Sequence, residues 1–368
     1  MRVLGYMSGT SLDGVDGAII ETDGETIAEF GPALLLPFSK DERRILIAAT
    51  EAALRREGAA TDPACRDTRL AERVVNDAHL RVAERLLAED GGCVDLVGFH
   101  GQTVLHRPDR GWTLQLGDPT LLANSLNIPV VARLRDADLA AGGQGAPIVP
   151  AYHAALARRI GADLPIAFLN LGGVANVTWI GSDGSMVAFD TGPANGLIDL
   201  LVQGRGRGRY DDGGRLAAAG MVDRAALTAL LDDPYFSRSG AKSLDRYDFS
   251  LDAVAALSLE DAVATLTAFT VETVGIAADS LPEVPKRWVI CGGGRHNPVL
   301  MRALVGRIGR CDSADEIGLR GDFIEAEAIA FLAARSVRGL AVTFPGTTGV
   351  MVPTTGGVRF DPHMETAA

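Results

Sequence analysis

The residues that could carry chemistry in this chain cluster in glycine-rich turns and around a few carboxylates. The first turn is Ser8-Gly9-Thr10-Ser11-Leu12-Asp13-Gly14, where glycines admit a ligand to the backbone and hydroxyls can donate to phosphate oxygens. Backbone N–H groups of such turns form anion-binding concavities. A carboxylate there repels phosphate unless Mg²⁺ lies between, so Asp13 is a candidate Mg²⁺ partner. An ordinary hairpin turn, rich in Ser, Asp and Gly, is the competing interpretation. Gly172-Gly173 poses the same choice. Gly292-Gly293-Gly294 loses much backbone entropy on folding, and a flat ligand lying close to the backbone would account for it. Asp190, in Ala188-Phe189-Asp190-Thr191-Gly192-Pro193, follows an apolar strand end and is placed to face a cleft; a cap or Asx-turn acceptor is the alternative. His100 is either a ligand contact or a satisfied core histidine. Arg135, Asp138 and Gln144 lie in a polar, Gly-rich loop suited to positioning a hydroxylated ligand, or to a solvated crossover.

Several familiar motifs are absent. The only lysines are Lys40, Lys242 and Lys286, and none completes a GxxxxGK[ST] run, which excludes a P-loop. No GxGxxG follows the opening strand. The run Gly204-Arg205-Gly206-Arg207-Gly208-Arg209 resembles an RNA-binding tract only superficially; in an acidic chain it reads as a surface loop.

The elements that must position these residues follow from periodicity. Arg2–Met7 and Val15–Glu21 read as a hairpin around the first turn. Helical spacing covers 41–58 and 67–89, and a short buried strand, Val94–Phe99, runs into His100-Gly101-Gln102-Thr103. The chain turns Gly/Pro-rich at 127–150, which suggests a domain boundary near 128. A second hairpin, Ile166–Leu171 with Asn176–Ile180, turns at Gly172-Gly173. Two glycine-turn hairpins, each followed by helices, imply a duplicated α/β unit. Trp288–Cys291 is a strand ending in the three glycines, a helix begins near Asn297-Pro298, and a final amphipathic helix spans Asp322–Arg335.

At 368 residues the chain is expected to hold about two domains. Its 47% hydrophobic and 22% charged content is globular, and a net charge of −12 argues against nucleic acid as a partner. Four scattered cysteines form no CxxC pair, which disfavours a disulfide framework or zinc site and fits a reducing cytoplasm. The N-terminus turns polar too early for a secretory leader, and no apolar stretch is expected to approach the ~20 residues that span a bilayer.

Taken in order, these motifs resemble the anhydro-N-acetylmuramic acid kinase family of the sugar kinase/Hsp70/actin superfamily. The resemblance runs through Met7–Gly14, Phe99–Thr103, Ala140–Pro150, Leu169–Gly173, Phe189–Asn195, Tyr210–Gly214, and Cys291–Gly294 with Asn297. It implies a two-domain actin-like ATPase fold, a duplicated ribonuclease H-like unit with a central inter-domain cleft. The domains are expected at 1–127, completed by 340–368, and at 128–339. The implied reaction opens the internal bond of 1,6-anhydro-N-acetylmuramic acid with water and phosphorylates O6, using ATP and Mg²⁺, in cell-wall peptidoglycan recycling.

By the same resemblance Asp190 matches the general base, and Glu325, the second catalytic candidate, matches a family glutamate near the nucleotide or sugar. Cofactor contacts are expected from Gly9, Thr10, Ser11, Leu12, Asp13, Gly14, Val15 and Asp16, from Gly172, Gly173 and Asn176, and from Gly292, Gly293, Gly294 and Asn297. Sugar contacts are expected from His100, Arg135, Asp138 and Gln144, with Asp13 toward the metal. The family suggests a homodimer and no membrane partner. Members commonly read Asp-Phe-Arg where this chain has Arg133-Leu134-Arg135, which bears on the packing of the sugar loop. Another sugar kinase of the superfamily is the nearest rival. A catalytically silent sugar sensor is the other, although no helix-turn-helix precedes the first hairpin.

Overall fold

The computed structural model describes residues 1–9, 11–55, 66–91, 93–238, 240–244 and 248–363. The chain divides into two units: residues 1–159, 323–345 and 350–368 form the first, and 160–322 with 346–349 the second.

The first unit opens with β1 (Arg2–Ser8), β2 (Gly14–Thr22) and β3 (Ile27–Pro37), followed by α1 (Lys40–Arg55) and α2 (Arg66–Asp90). Then come β4 (Leu96–Arg107), β5 (Trp112–Leu116), α3 (Pro119–Leu126), β6 (Val130–Ala132), α4 (Asp136–Ala140) and α5 (Pro150–Arg159). β1 is antiparallel to β2 and β2 to β3, while β4 lies parallel to β1 and β6 parallel to β4.

The second unit repeats this scheme. It contains β7 (Ile166–Leu171), β8 (Val174–Ile180), β9 (Met186–Pro193), α6 (Asn195–Gly204), α7 (Arg215–Ala219), α8 (Arg224–Leu231), α9 (Leu259–Asp279), β10 (Arg287–Cys291), α10 (Pro298–Ile308) and β11 (Cys311–Ser313). Here β9-β8-β7 are antiparallel neighbours, and β10 and β11 extend the sheet in parallel from β7. The order β3-β2-β1-β4-β6 therefore has its counterpart in β9-β8-β7-β10-β11, which is the duplication anticipated from the two hairpins. The chain returns to the first unit through α11 (Ile324–Val337) and β12 (Val358–Phe360), the latter pairing antiparallel with β6.

Packing dictates several sequence choices. Gly5 on β1 and Gly98 on β4 let α11 lie directly on the sheet: a Cβ at Gly5 would strike the Ala326 carbonyl, and one at Gly98 would stand 2.5 Å from that of Ile329. α11 answers with Ala326, Ala328, Ala330, Ala333 and Ala334, all buried. On the other face Tyr6, His79 and Phe99 meet edge-on within a core that includes Leu4, Val15, Val82 and Leu86. In the second unit α9 is the central helix, capped by the Ser258 hydroxyl and packed against β9, where a Cβ at Gly192 would stand 2.7 Å from Thr273 Oγ1.

Three expectations are corrected. The boundary near 128 falls inside the first unit, because β6 hydrogen-bonds to β4 and β12 and so belongs to that sheet. The strand at 94–99 begins at Leu96 and continues through the His100–Thr103 motif to Arg107, because β5 supplies a partner for its second half. Among the described residues one helix, α9, is long and apolar enough by composition to cross a bilayer, contrary to the expectation of none; 72% of its apolar window is buried, as in a core helix.

Candidate active site

In the first unit the Ser8–Gly14 turn leaves the carboxyl end of β1, beside the parallel strand β4. Buried Gln102 on β4 fastens it: the Ser8 hydroxyl donates to Gln102 Oε1, and Gln102 Nε2 donates to the Gly9 carbonyl at 3.2 Å. The Leu12 N–H donates to the Gly9 carbonyl at 3.1 Å, and Leu12 holds φ of 55°, a left-handed conformation costly for a branched side chain. Gly9 has only Ser11 Oγ near its missing Cβ, at 3.6 Å, so packing does not demand glycine there. Gly14 is demanded by packing, since a Cβ would run into β3. Ser11 and Asp13 are exposed and Asp16 half-buried, whereas Val15 and Leu12 are core residues. With their side chains in the core, those two have only backbone to offer a ligand at this turn. Thr10 lies outside the described residues.

The sugar-loop candidates meet in the same unit. Neutral His100 donates from Nδ1 to the Gly101 carbonyl at 2.9 Å and accepts from Arg135 Nε at 3.0 Å on Nε2. Burial, reinforced by the Arg135 charge, lowers its pKa to about 3. With both nitrogens engaged, His100 helps to fix the orientation of Arg135. Arg135 also donates from Nη1 to the Gly145 carbonyl. Buried Asp138 accepts the Gly145 N–H at 2.6 Å, shaping the loop, and the Gln144 carbonyl is gripped by His106 Nε2 at 2.9 Å. Half-buried Glu325, in the first turn of α11, has its pKa raised by burial and drawn back by the Arg135 charge. Arg133 turns away to lay its guanidinium 5.7 Å from the Phe360 ring centre, so the departure from Asp-Phe-Arg is absorbed by β12.

In the second unit Asn170, Asn176 and Asp190 stand opposite one another on β7, β8 and β9, and directly opposed residues share a sheet face. Among the described residues nothing bonds to the buried Oδ1 of Asn176, an acceptor left for a ligand or water to satisfy. Asp190, 8% exposed, is fixed on several sides. Its N–H donates to the Lys242 carbonyl at 3.0 Å, its carbonyl accepts the Tyr235 hydroxyl at 2.6 Å, and Oδ2 accepts the Leu244 N–H at 2.8 Å. Lys242 Nζ lies 4.6 Å from the Tyr235 ring centre and donates to the Tyr235 carbonyl at 3.2 Å. Tyr235, Lys242 and Leu244 were not flagged by sequence; a buried-aromatic pair before one of only three lysines was the available signal.

Both glycine turns of this unit lie at the same sheet end. Gly172 and Gly173 have no close neighbour for a Cβ, yet their carbonyls accept N–H groups from residues 194–196 at the start of α6. At the end of β10, Gly292 has φ of 73° and its Cβ would collide with Asn170 Oδ1; one at Gly294 would stand 2.6 Å from Leu171 Cβ. Two of the three glycines are thus required by the protein itself. Gly293 alone opens onto empty space. Asn297 caps α10, its Oδ1 accepting the N–H groups of Val299 and Leu300, which gives that residue a local task beside any contact with a nucleotide.

The donor set bears on a metal. Among the described residues no group of three or more His, Cys, Asp or Glu is arranged to hold a metal ion. Mg²⁺ bound through one carboxylate, phosphate oxygens and water needs no such cage, so exposed Asp13 beside an open glycine turn fits that mode.

Comparison with known proteins agrees over the full length. The family model for anhydro-N-acetylmuramic acid kinase matches residues 1–362. The anhydro-N-acetylmuramic acid kinase of Phenylobacterium zucineum is 53% identical over 371 residues, covering 99% of this chain and all of the relative. That of Caulobacter vibrioides is 52% identical over 365 residues, covering 97% and 98%. That of Rhizorhabdus wittichii is 47% identical over 369 residues, covering 98% and 99%. With a match of this extent and motifs held in place by two copies of one sheet topology, the chain belongs to the anhydro-N-acetylmuramic acid kinase family.

Proposed function

We propose that the chain phosphorylates O6 of 1,6-anhydro-N-acetylmuramic acid with ATP while water opens the 1,6-anhydro bond, giving N-acetylmuramic acid 6-phosphate and ADP. Membership of the kinase family supports the phosphotransfer and its role in peptidoglycan recycling. The observation that carries the chemistry is Asp190: a carboxylate with one oxygen tied to a backbone N–H, in a row of amide side chains at the sheet end that also holds both glycine turns.

Asp190 takes a proton from the water that attacks C1. A C1–O bond forms, the C1–O6 bond breaks, and O6 takes the γ-phosphoryl group as ADP leaves. A glycosidase needs an acid for the departing oxygen; capture of O6 by phosphorus removes that need, so one carboxylate suffices. Arg135, oriented by His100, and Glu325 bind the sugar. Backbone N–H groups of the Gly9 and Gly172-Gly173 turns hold phosphate, and the Gly293 face takes adenosine. Asp13 would hold Mg²⁺, which neutralises charge on the transferring phosphoryl group when bound. The need for ATP places the enzyme in the cytoplasm, and the family suggests a homodimer.

Product analysis tests the assignment. Incubated with ATP and either the anhydro sugar or free N-acetylmuramic acid, the protein should make the 6-phosphate much faster from the anhydro sugar. Preference for the unmodified sugar would instead indicate a direct hydroxyl kinase.

A further inference from the structure

Arg295 directly follows the three glycines, and its side chain turns back beneath them with 2% exposure. A guanidinium carries five N–H donors in one plane, and the contacts here place all five. Nε donates to Asp315 Oδ2 at 2.8 Å, and Nη2 to Asp315 Oδ1 at 3.3 Å and Asp322 Oδ2 at 2.7 Å. Nη1 donates to Asp322 Oδ1 at 2.6 Å and to the Gly292 carbonyl at 3.0 Å. The segment around the guanidinium is shaped to admit it: a Cβ at Gly321 would collide with Arg295 Nε. The same segment closes onto the turn through its backbone, with the Gly321 N–H on Asp315 Oδ1 at 3.1 Å and the Gly292 N–H on the Gly321 carbonyl at 3.3 Å.

We infer that Arg295 is a positioning residue for the nucleotide, fixing the Gly292 carbonyl and with it the plane of the open Gly293 backbone on which adenosine lies. The inference rests on the reading of Gly292–Gly294 as the adenosine surface. Without the guanidinium, the Gly292–Gly321 backbone bond and the contact of His296 with Asp322, 3.5 Å apart, remain among the described residues to tie this stretch to the 315–322 segment. A lysine cannot substitute, because a single ammonium lacks the fork that grips two carboxylates and a carbonyl at once.

The test uses full-length protein with Arg295→Lys, Asp322→Asn and Gly293→Val, each checked by thermal melting. Steady-state rates are measured with ATP and the anhydro sugar varied in turn, and ADP binding is measured by calorimetry. Arg295→Lys should weaken ADP binding and raise the KM for ATP by about tenfold or more, while the KM for sugar and kcat at saturating ATP stay within about threefold. Asp322→Asn, which keeps the guanidinium and one carboxylate, should shift both nucleotide constants in the same direction by less, and it decides the matter if Arg295→Lys does not fold. Lower melting with unchanged ADP binding, or equal rises in both KM values, would reduce Arg295 to a structural brace and overturn the inference. Gly293→Val separates the underlying reading: intact ADP binding in that variant removes adenosine from the turn, and the inference falls with it. If Gly293→Val abolishes ADP binding and Arg295→Lys leaves it unchanged, the inference alone falls.

Discussion

Asp190→Asn separates a catalytic carboxylate from a structural one. The side chain keeps its size, and its amide oxygen can still accept the Leu244 N–H that Oδ2 holds at 2.8 Å. The backbone anchors to Lys242 and Tyr235 do not involve the side chain. Exchanging a charge-assisted hydrogen bond for a neutral one should therefore cost about 1 kcal/mol of stability, roughly the difference between typical values for the two kinds. Turnover should suffer far more. An amide cannot take a proton from water near neutral pH, and loss of a general base typically costs ~10²–10⁴ in rate, or roughly 3–5 kcal/mol in the transition state. The loss should fall on kcat, with both KM values within about threefold, because the interaction strengthens only as the water attacks. ADP release measured alongside a melting curve reads both quantities on one preparation. A variant that melts early yet keeps most of its turnover would refute the role given to Asp190.

Gly293→Ala should leave melting unchanged, since its Cβ meets nothing within 4 Å, yet raise the KM for ATP; Gly294→Ala, with Leu171 Cβ 2.6 Å away, should lose ~1–3 kcal/mol of stability. Equal effects of the two in paired melting and kinetics would contradict the adenosine assignment. Arg135→Lys cannot keep both the His100 and Gly145 bonds, so the KM for sugar should rise about tenfold or more with the KM for ATP unchanged; a selective rise for ATP would contradict the division of roles. Burial lowers His79 and His106 to about 4 and His100 and His153 to about 3, against 6.5 for an unburied histidine. As pH falls below about 6.5 the unfolded chain binds these protons first, so stability present above that pH is lost down to pH 3–4, at up to ~2 kcal/mol per histidine by pH 5. Melting temperatures that stay flat between pH 7 and pH 5 would contradict it.

Local patterns made much of this architecture readable. The hairpins at Ser8–Gly14 and Gly172-Gly173 are set by nearly continuous apolar strands around glycine turns, and both occur where the sequence put them. Asn297-Pro298 announced α10 because a cap and a first-turn proline act within a few residues. The domain boundary was not readable, because β6 joins the first sheet through pairing with β4 and with β12, more than two hundred residues further on. In the site, the glycines were visible but their reasons were not. Gly292 and Gly294 answer to Asn170 and Leu171, over a hundred residues earlier, whereas packing makes no such demand at Gly293. Likewise the bond between His100 and Arg135 could not be read from sequence, since the two come from separate segments. The Lys242–Leu244 segment that fixes Asp190 carries only the weak signal of a rare lysine after an aromatic pair, because its hydrogen bonds exist only once β9 is in place.

The central claim is that water, not a sugar hydroxyl, is the nucleophile at carbon and that O6 is the oxygen phosphorylated. A single reaction run in isotopically labelled water, with the product sugar and its phosphate analysed separately by mass spectrometry, tests it most directly. The account predicts label on the C1 hydroxyl and none in the phosphate group. Label confined to the phosphate would contradict it.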